Sequence, residues 1–131
     1  MAKLSAQAKV LDGFKVEVAI RNHRMVADLT PDKGGSDAGP TPPEILVGAL
    51  AACSAIYARI FAQREGIPGE ITVRAEAELT EPPMNVQNFQ VHVRIPGLPK
   101  EKLDKAYAFV EKCVVAQTLC AASAVELKIE P

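Results

Sequence analysis

Tryptophan is absent from this sequence, and only two tyrosines and four phenylalanines stand among its 131 residues. No basic run exceeds two residues, and 15 Lys and Arg are offset by 16 Asp and Glu for a formal charge of −1. With no positive stripe to neutralise phosphates and few rings to stack on bases, no nucleic-acid partner is expected. The opening stretch Met1-Ala2-Lys3-Leu4-Ser5 has neither an apolar segment nor a small-residue cleavage site, which argues against a secretory signal and for a reducing cytoplasm. Three cysteines, an odd number, make a poor disulfide framework. Metal ligation is not expected either, because two histidines and scattered cysteines show no zinc spacing. The run Gly34-Gly35-Ser36-Asp37-Ala38-Gly39 lacks the lysine of a phosphate loop and leads into prolines, so it reads as a flexible approach to a helix.

What is there is a chain that is 48% hydrophobic and long enough to bury roughly two-thirds of its unfolded surface as a single domain, residues 1–131, without staples. Alternation comes first: Leu4, Ala6, Ala8 and Val10, a turn at Asp12-Gly13, then Phe14, Val16, Val18 and Ile20, a β-hairpin with one wet face. Met25 to Leu29 continues as a third strand. Thr30 to Pro43 holds three glycines and four prolines and reads as a long loop. Thr41 then caps a helix, with Pro42 at its first position and Glu44 completing a capping box.

From Ile45 to Ala58 every residue except Gly48 and Ser54 is hydrophobic, so this helix must be covered on all sides. As a run of fourteen it is too short for a bilayer, which takes about 20 residues. It therefore reads as a core helix. A chain of this size hardly supplies the whole wrapping, and a homodimer that buries the helix between subunits would complete it. Gly66-Ile67-Pro68-Gly69 ends the helix. Two alternating strands follow, Ile71 to Leu79 and Phe89 to Ile95, then a helix from Leu103 to Lys112, a short helix after Cys113, and a closing strand through Val125, Leu127 and Ile129. The order βββ-α-ββ-α-β predicts an α+β sandwich of antiparallel sheet and helices.

Cys53 lies in the apolar helix and Cys113 stands 60 residues later, which excludes a CxxC pair. A free cysteine is by default a small buried hydrophobe, and that reading is kept for Cys120. A working thiolate needs a helix N-terminus or a cation beside it. Cys53 is beyond the first turn of its helix, whereas a helix starting after Cys113 would offer that residue free N–H groups. The residues alone do not rank the two as nucleophile.

The stretch from Gly34 through Gly39-Pro40-Thr41-Pro42-Pro43-Glu44 to Ala52-Cys53, followed by Glu111-Lys112-Cys113-Val114-Val115-Ala116-Gln117-Thr118-Leu119, resembles the OsmC/Ohr family, over almost the whole chain. The resemblance implies an OsmC-like sandwich, an intertwined homodimer with its long helices back to back, and paired sites at the subunit interface. Its members of assigned activity are thiol peroxidases that reduce organic hydroperoxides with no metal or haem. By position, Cys53 matches the peroxidatic cysteine and Cys113 the resolving one, which implies a hydroperoxide substrate, a sulfenic acid, a disulfide and an external dithiol reductant.

The chain departs from the organic-hydroperoxide branch, where a hairpin Arg and a Glu ten residues before the cysteine activate the thiolate. Here the hairpin turn Val10-Leu11-Asp12-Gly13-Phe14 has no Arg, and position 43 is Pro. Glu44, nine residues before Cys53, is turned about 900° from it and so faces away. Val114 also replaces the usual proline. These features resemble the OsmC-like branch, with Arg21, His23, Arg24 and Glu44 as the candidate activating groups; solvated turn residues and a helix cap are their plainer readings. His92 alternates outward on its strand. A thiol peroxidase is the leading expectation, against a module that binds a small apolar ligand or senses oxidants, or a hydrolase or thiol-transfer enzyme using the same nucleophile.

Overall fold

A computed structural model describes residues 2–121 and 124–131. The chain forms two compact units, Met1–Leu46 and Val47–Pro131. The first contains β1 (Gln7–Val10), β2 (Val16–Ile20) and β3 (His23–Ala27) in an antiparallel sheet of that order. The β1–β2 connection is wider than an Asp-Gly turn: Leu11 N–H bonds the Lys15 carbonyl at 2.8 Å and Lys15 N–H the Asp12 carbonyl at 3.2 Å. Ile20 pairs with His23, leaving Arg21-Asn22 as a tight turn with Arg21 at φ 52°.

The loop after β3 is a hydrogen-bonded structure, which corrects the expectation of a flexible approach. The buried Asp28 carboxylate accepts N–H bonds from Leu29 at 2.7 Å and from Ser36 and Ala38 at 3.1 Å. The backbone N–H of Asp28 in turn bonds the Pro40 carbonyl at 3.2 Å. Gly35 and Gly39 are glycine because of close approach: a Cβ at either would run into the Leu29 or the Val26 carbonyl, respectively. These bonds fold the chain back before α1 (Pro42–Glu65). The α1 start has the expected reciprocal cap, with Thr41 N–H on Glu44 Oε1 at 2.9 Å and Glu44 N–H on Thr41 Oγ1 at 3.4 Å.

At 24 residues, α1 outruns the fourteen-residue apolar run within it and is long and apolar enough to cross a membrane by length and composition. Length therefore does not exclude a span, as the run alone had implied. The buried residues of α1 are Leu50, Ser54, Ala58, Phe61 and Ala62, and they form one face.

In the second unit, β4 (Thr72–Thr80) and β5 (Asn85–Arg94) form an antiparallel pair, followed by α2 (Leu103–Val110) and α3 (Val114–Cys120). Phe61, Ala62, Ile67 and Ala106 make its core, with Ile71, Ile95, Leu98 and Phe109 packed against them. Phe109 sits 5.9 Å from Phe61 and 6.1 Å from Tyr57 between ring centroids, and the Arg64 guanidinium lies 5.0 Å over its ring. Glu65 pairs with Lys105 at 3.0 Å and Lys102 at 3.2 Å, tying the end of α1 to the start of α2.

The closing strand is not formed. Residues 124–131 take part in no ladder, and Val125, Leu127 and Ile129 are 91%, 77% and 84% exposed. Their alternation is that of a strand, but a strand needs a partner edge, and none in the described residues pairs with it.

Candidate active site

Cys53 lies on the fourth turn of α1, and Cys113 ends the turn between α2 and α3. The fold brings these two residues close together as free thiols. Cys53 is half-buried, while Cys113 is 1% exposed. Cys113 is held by the local chain: its N–H bonds the Val110 carbonyl at 3.0 Å, and Gln117 N–H returns to the Cys113 carbonyl at 2.9 Å. The hydroxyl of Ser54, the residue after Cys53, donates to Cys113 Sγ at 3.9 Å.

The two thiols are electrostatically unequal. Burial pushes the Cys53 thiol up, and the neighbouring Cys113 thiol adds to that rise. Burial also opposes ionisation of Cys113, but the Cys53 thiol, the Ala116 N–H, the Ser54 hydroxyl and the Val115 N–H outweigh it and bring Cys113 below its ordinary value. The Ala116 and Val115 dipoles face the sulfur without closing a capping bond. These opposite directions make the inner sulfur, Cys113, the first of the pair to ionise.

Behind Ser54, a cavity of about 410 Å³ is lined mainly by apolar side chains of β5 and α2, among them Val91, Val93, Leu103 and Val110. Ser54 is one of its lining residues, whereas neither cysteine lines it.

The other sequence candidates occupy the first unit. Arg21 bonds His23 across the β2–β3 turn at 3.3 Å, Arg24 pairs with Glu17 at 3.6 Å, and Glu44 caps α1. Each thus has a local partner. His92 is exposed on β5, and Cys120 is exposed at the end of α3. Among the described residues no three His, Cys, Asp or Glu side chains converge as metal ligands. Sequence reasoning missed Ser54. Its signal was present, a lone hydroxyl in an otherwise apolar run beside Cys53, but the partner that gives it meaning comes from 59 residues away.

Among the described residues, two antiparallel sheets and three α-helices bring two distant cysteines together. The sequence model for OsmC-like protein matches residues 34–130, and the chain belongs to that family. Among solved structures, an osmotic stress induced and detoxification response protein from Psychrobacter arcticus superposes with a TM-score of 0.79 at 16% identity, covering 90% of this chain and 89% of that one. An OsmC-like protein from Mycoplasma pneumoniae gives 0.78 at 18% identity, covering 91% and 88%. An organic hydroperoxide resistance protein from Elizabethkingia anophelis gives 0.70 at 19% identity, covering 90% and 88%. A search of the curated proteins found no match.

Proposed function

We propose that this protein is a cytoplasmic thiol peroxidase that reduces organic hydroperoxides with Cys53 and Cys113. The observation that carries the reading is the contact between a half-buried Cys53 and a buried Cys113 from distant parts of the chain. Family membership and likeness to organic hydroperoxide resistance proteins support it. The Cys53 thiolate attacks the terminal oxygen of ROOH; the O–O bond breaks, sulfur is oxidised to a sulfenic acid, and the alkoxide takes a proton to leave as alcohol. The Cys113 thiolate then attacks the sulfenyl sulfur. An S–S bond forms, the S–O bond breaks, and hydroxide leaves to become water. An external dithiol reduces the disulfide by exchange and is itself oxidised.

A homodimer completes this reading, with no membrane involved. Ile56 on α1 is 59% exposed, and the alternating residues Val125, Leu127 and Ile129 are uncovered; a second copy would bury both sets.

The test is hydroperoxide consumption with a dithiol donor. C53S is expected to abolish turnover, while C113S cannot close the disulfide and is expected to stop, after a slowed first step, at a trappable sulfenic acid on Cys53. A wild type inactive towards both hydrogen peroxide and alkyl hydroperoxides overturns the reading in favour of ligand binding or oxidant sensing.

A further inference from the structure

The peroxidase reading leaves open how Cys53 is activated. Within the unit Val47–Pro131, the group acting on Cys53 through charge is Cys113, and the other influences on the pair are burial and hydrogen bonds from Ser54 and the Val114, Val115 and Ala116 backbone. Ser54 is the side-chain donor in that set that is not itself a thiol. It is 3% exposed, with no unpartnered polar atom, and a hydroxyl so placed must find an acceptor. Its acceptor is Cys113 Sγ, at a distance long for a neutral thiol and able to shorten when the sulfur carries charge.

We propose, resting on the peroxidase reading, that Ser54 is a positioning residue of the dithiol site: its buried hydroxyl holds the Cys113 sulfur as a hydrogen-bond acceptor, so that Cys113 takes the Cys53 proton as the outer sulfur attacks. The reacting pair starts with one proton, as a Cys53 thiol against a Cys113 thiolate. The proton passes from Cys53 Sγ to Cys113 Sγ, and the freed electron pair on Cys53 attacks the terminal oxygen of ROOH. The O–O bond breaks, and the departing alkoxide takes the proton from Cys113 to leave as alcohol. Cys113 is again a thiolate and displaces hydroxide from the Cys53 sulfenic acid, closing the disulfide. One proton on the pair and one on ROOH become the alcohol and hydroxide protons, and the two electrons lost by the sulfurs reduce the O–O bond. Ser54 touches none of the reacting oxygens; it acts through Cys113.

The experiment compares Ser54→Thr with Ser54→Val in a Cys120→Ser background. The two side chains have the same shape, differ in the hydroxyl, and have the neighbouring cavity to receive the added methyl. Thermal melting checks that each variant is folded. The first readout is the ultraviolet thiolate absorbance of the reduced protein against pH, with no peroxide present. Loss of a hydrogen bond to a charged sulfur is expected to move the first thiolate transition in S54V up by about one pH unit, while S54T stays with the wild type. The second readout is the first-turnover rate with an alkyl hydroperoxide at fixed pH, expected to fall about tenfold in S54V and to be rescued in S54T. Identical titrations for S54V and S54T overturn the proposal. A shifted titration beside a wild type that consumes no hydroperoxide overturns the peroxidase reading instead, so the two failures are separable.

Discussion

Asp28 and Ser54 are the buried polar side chains among the described residues, and each is buried because the fold gives it partners. Asp28 organises the loop before α1. The Ala38 N–H is the strongest influence lowering its carboxyl; burial opposes it, and the Leu29 and Ser36 N–H groups add to the lowering. A carboxyl held below its ordinary value of about 4 stabilises the fold in its charged form. That contribution is complete at neutral pH and is lost as pH falls below about 4 through the folded value. D28N is therefore expected to lower Tm at pH 7, since an amide cannot accept all three N–H bonds, and to lose less further stability than wild type on acidification; calorimetry at neutral and acid pH reads both. At this scale the sequence was partly legible. Cys53 and Cys113 stand out by motif, but Asp28 reads as an ordinary residue of the third strand until the N–H groups of Ser36 and Ala38 are folded over it.

The elements themselves were largely legible, because their signals are local. Thr41-Pro42-Pro43-Glu44 specifies the start of α1 and Gly66 its end, and the observed helix runs between them. Period-two alternation likewise found β1, β2, β4 and β5. The Gly-rich loop shows where local signals mislead, since the same glycines that permit freedom also permit close approach. Gly39→Ala is expected to destabilise by about 1–3 kcal/mol, because the Cβ must displace the Val26 backbone that runs beside it. Urea denaturation measures this, and a variant as stable as wild type would mean the loop gives way there at no cost. The C-terminal alternation misled in another way: the pattern specifies an extended segment with an apolar face but cannot supply the edge on which it would pair.

At the scale of the whole molecule, the uncovered apolar residues carry the prediction. A chain of 14.0 kDa that leaves Leu127 and Ile129 at 77% and 84% exposure is expected to sediment as a dimer of twice that mass. If Leu127 is buried in the dimer, L127E weakens association at least about tenfold, since burying a leucine contributes roughly 1.5–3 kcal/mol; a monomeric wild type, or an unchanged L127E dimer, would exclude that role for the tail. The sequence by itself determined the caps, the strand periods, the apolar helix and the two cysteines, because each depends on neighbours within a turn or two of chain. Only the tertiary structure decided that Cys53 meets Cys113, that Ser54 points its hydroxyl at the inner sulfur, and that Asp28 ties down the loop before the helix. Those pairings join residues eight to sixty positions apart, and no local spacing encodes a contact that exists only once the intervening chain has folded.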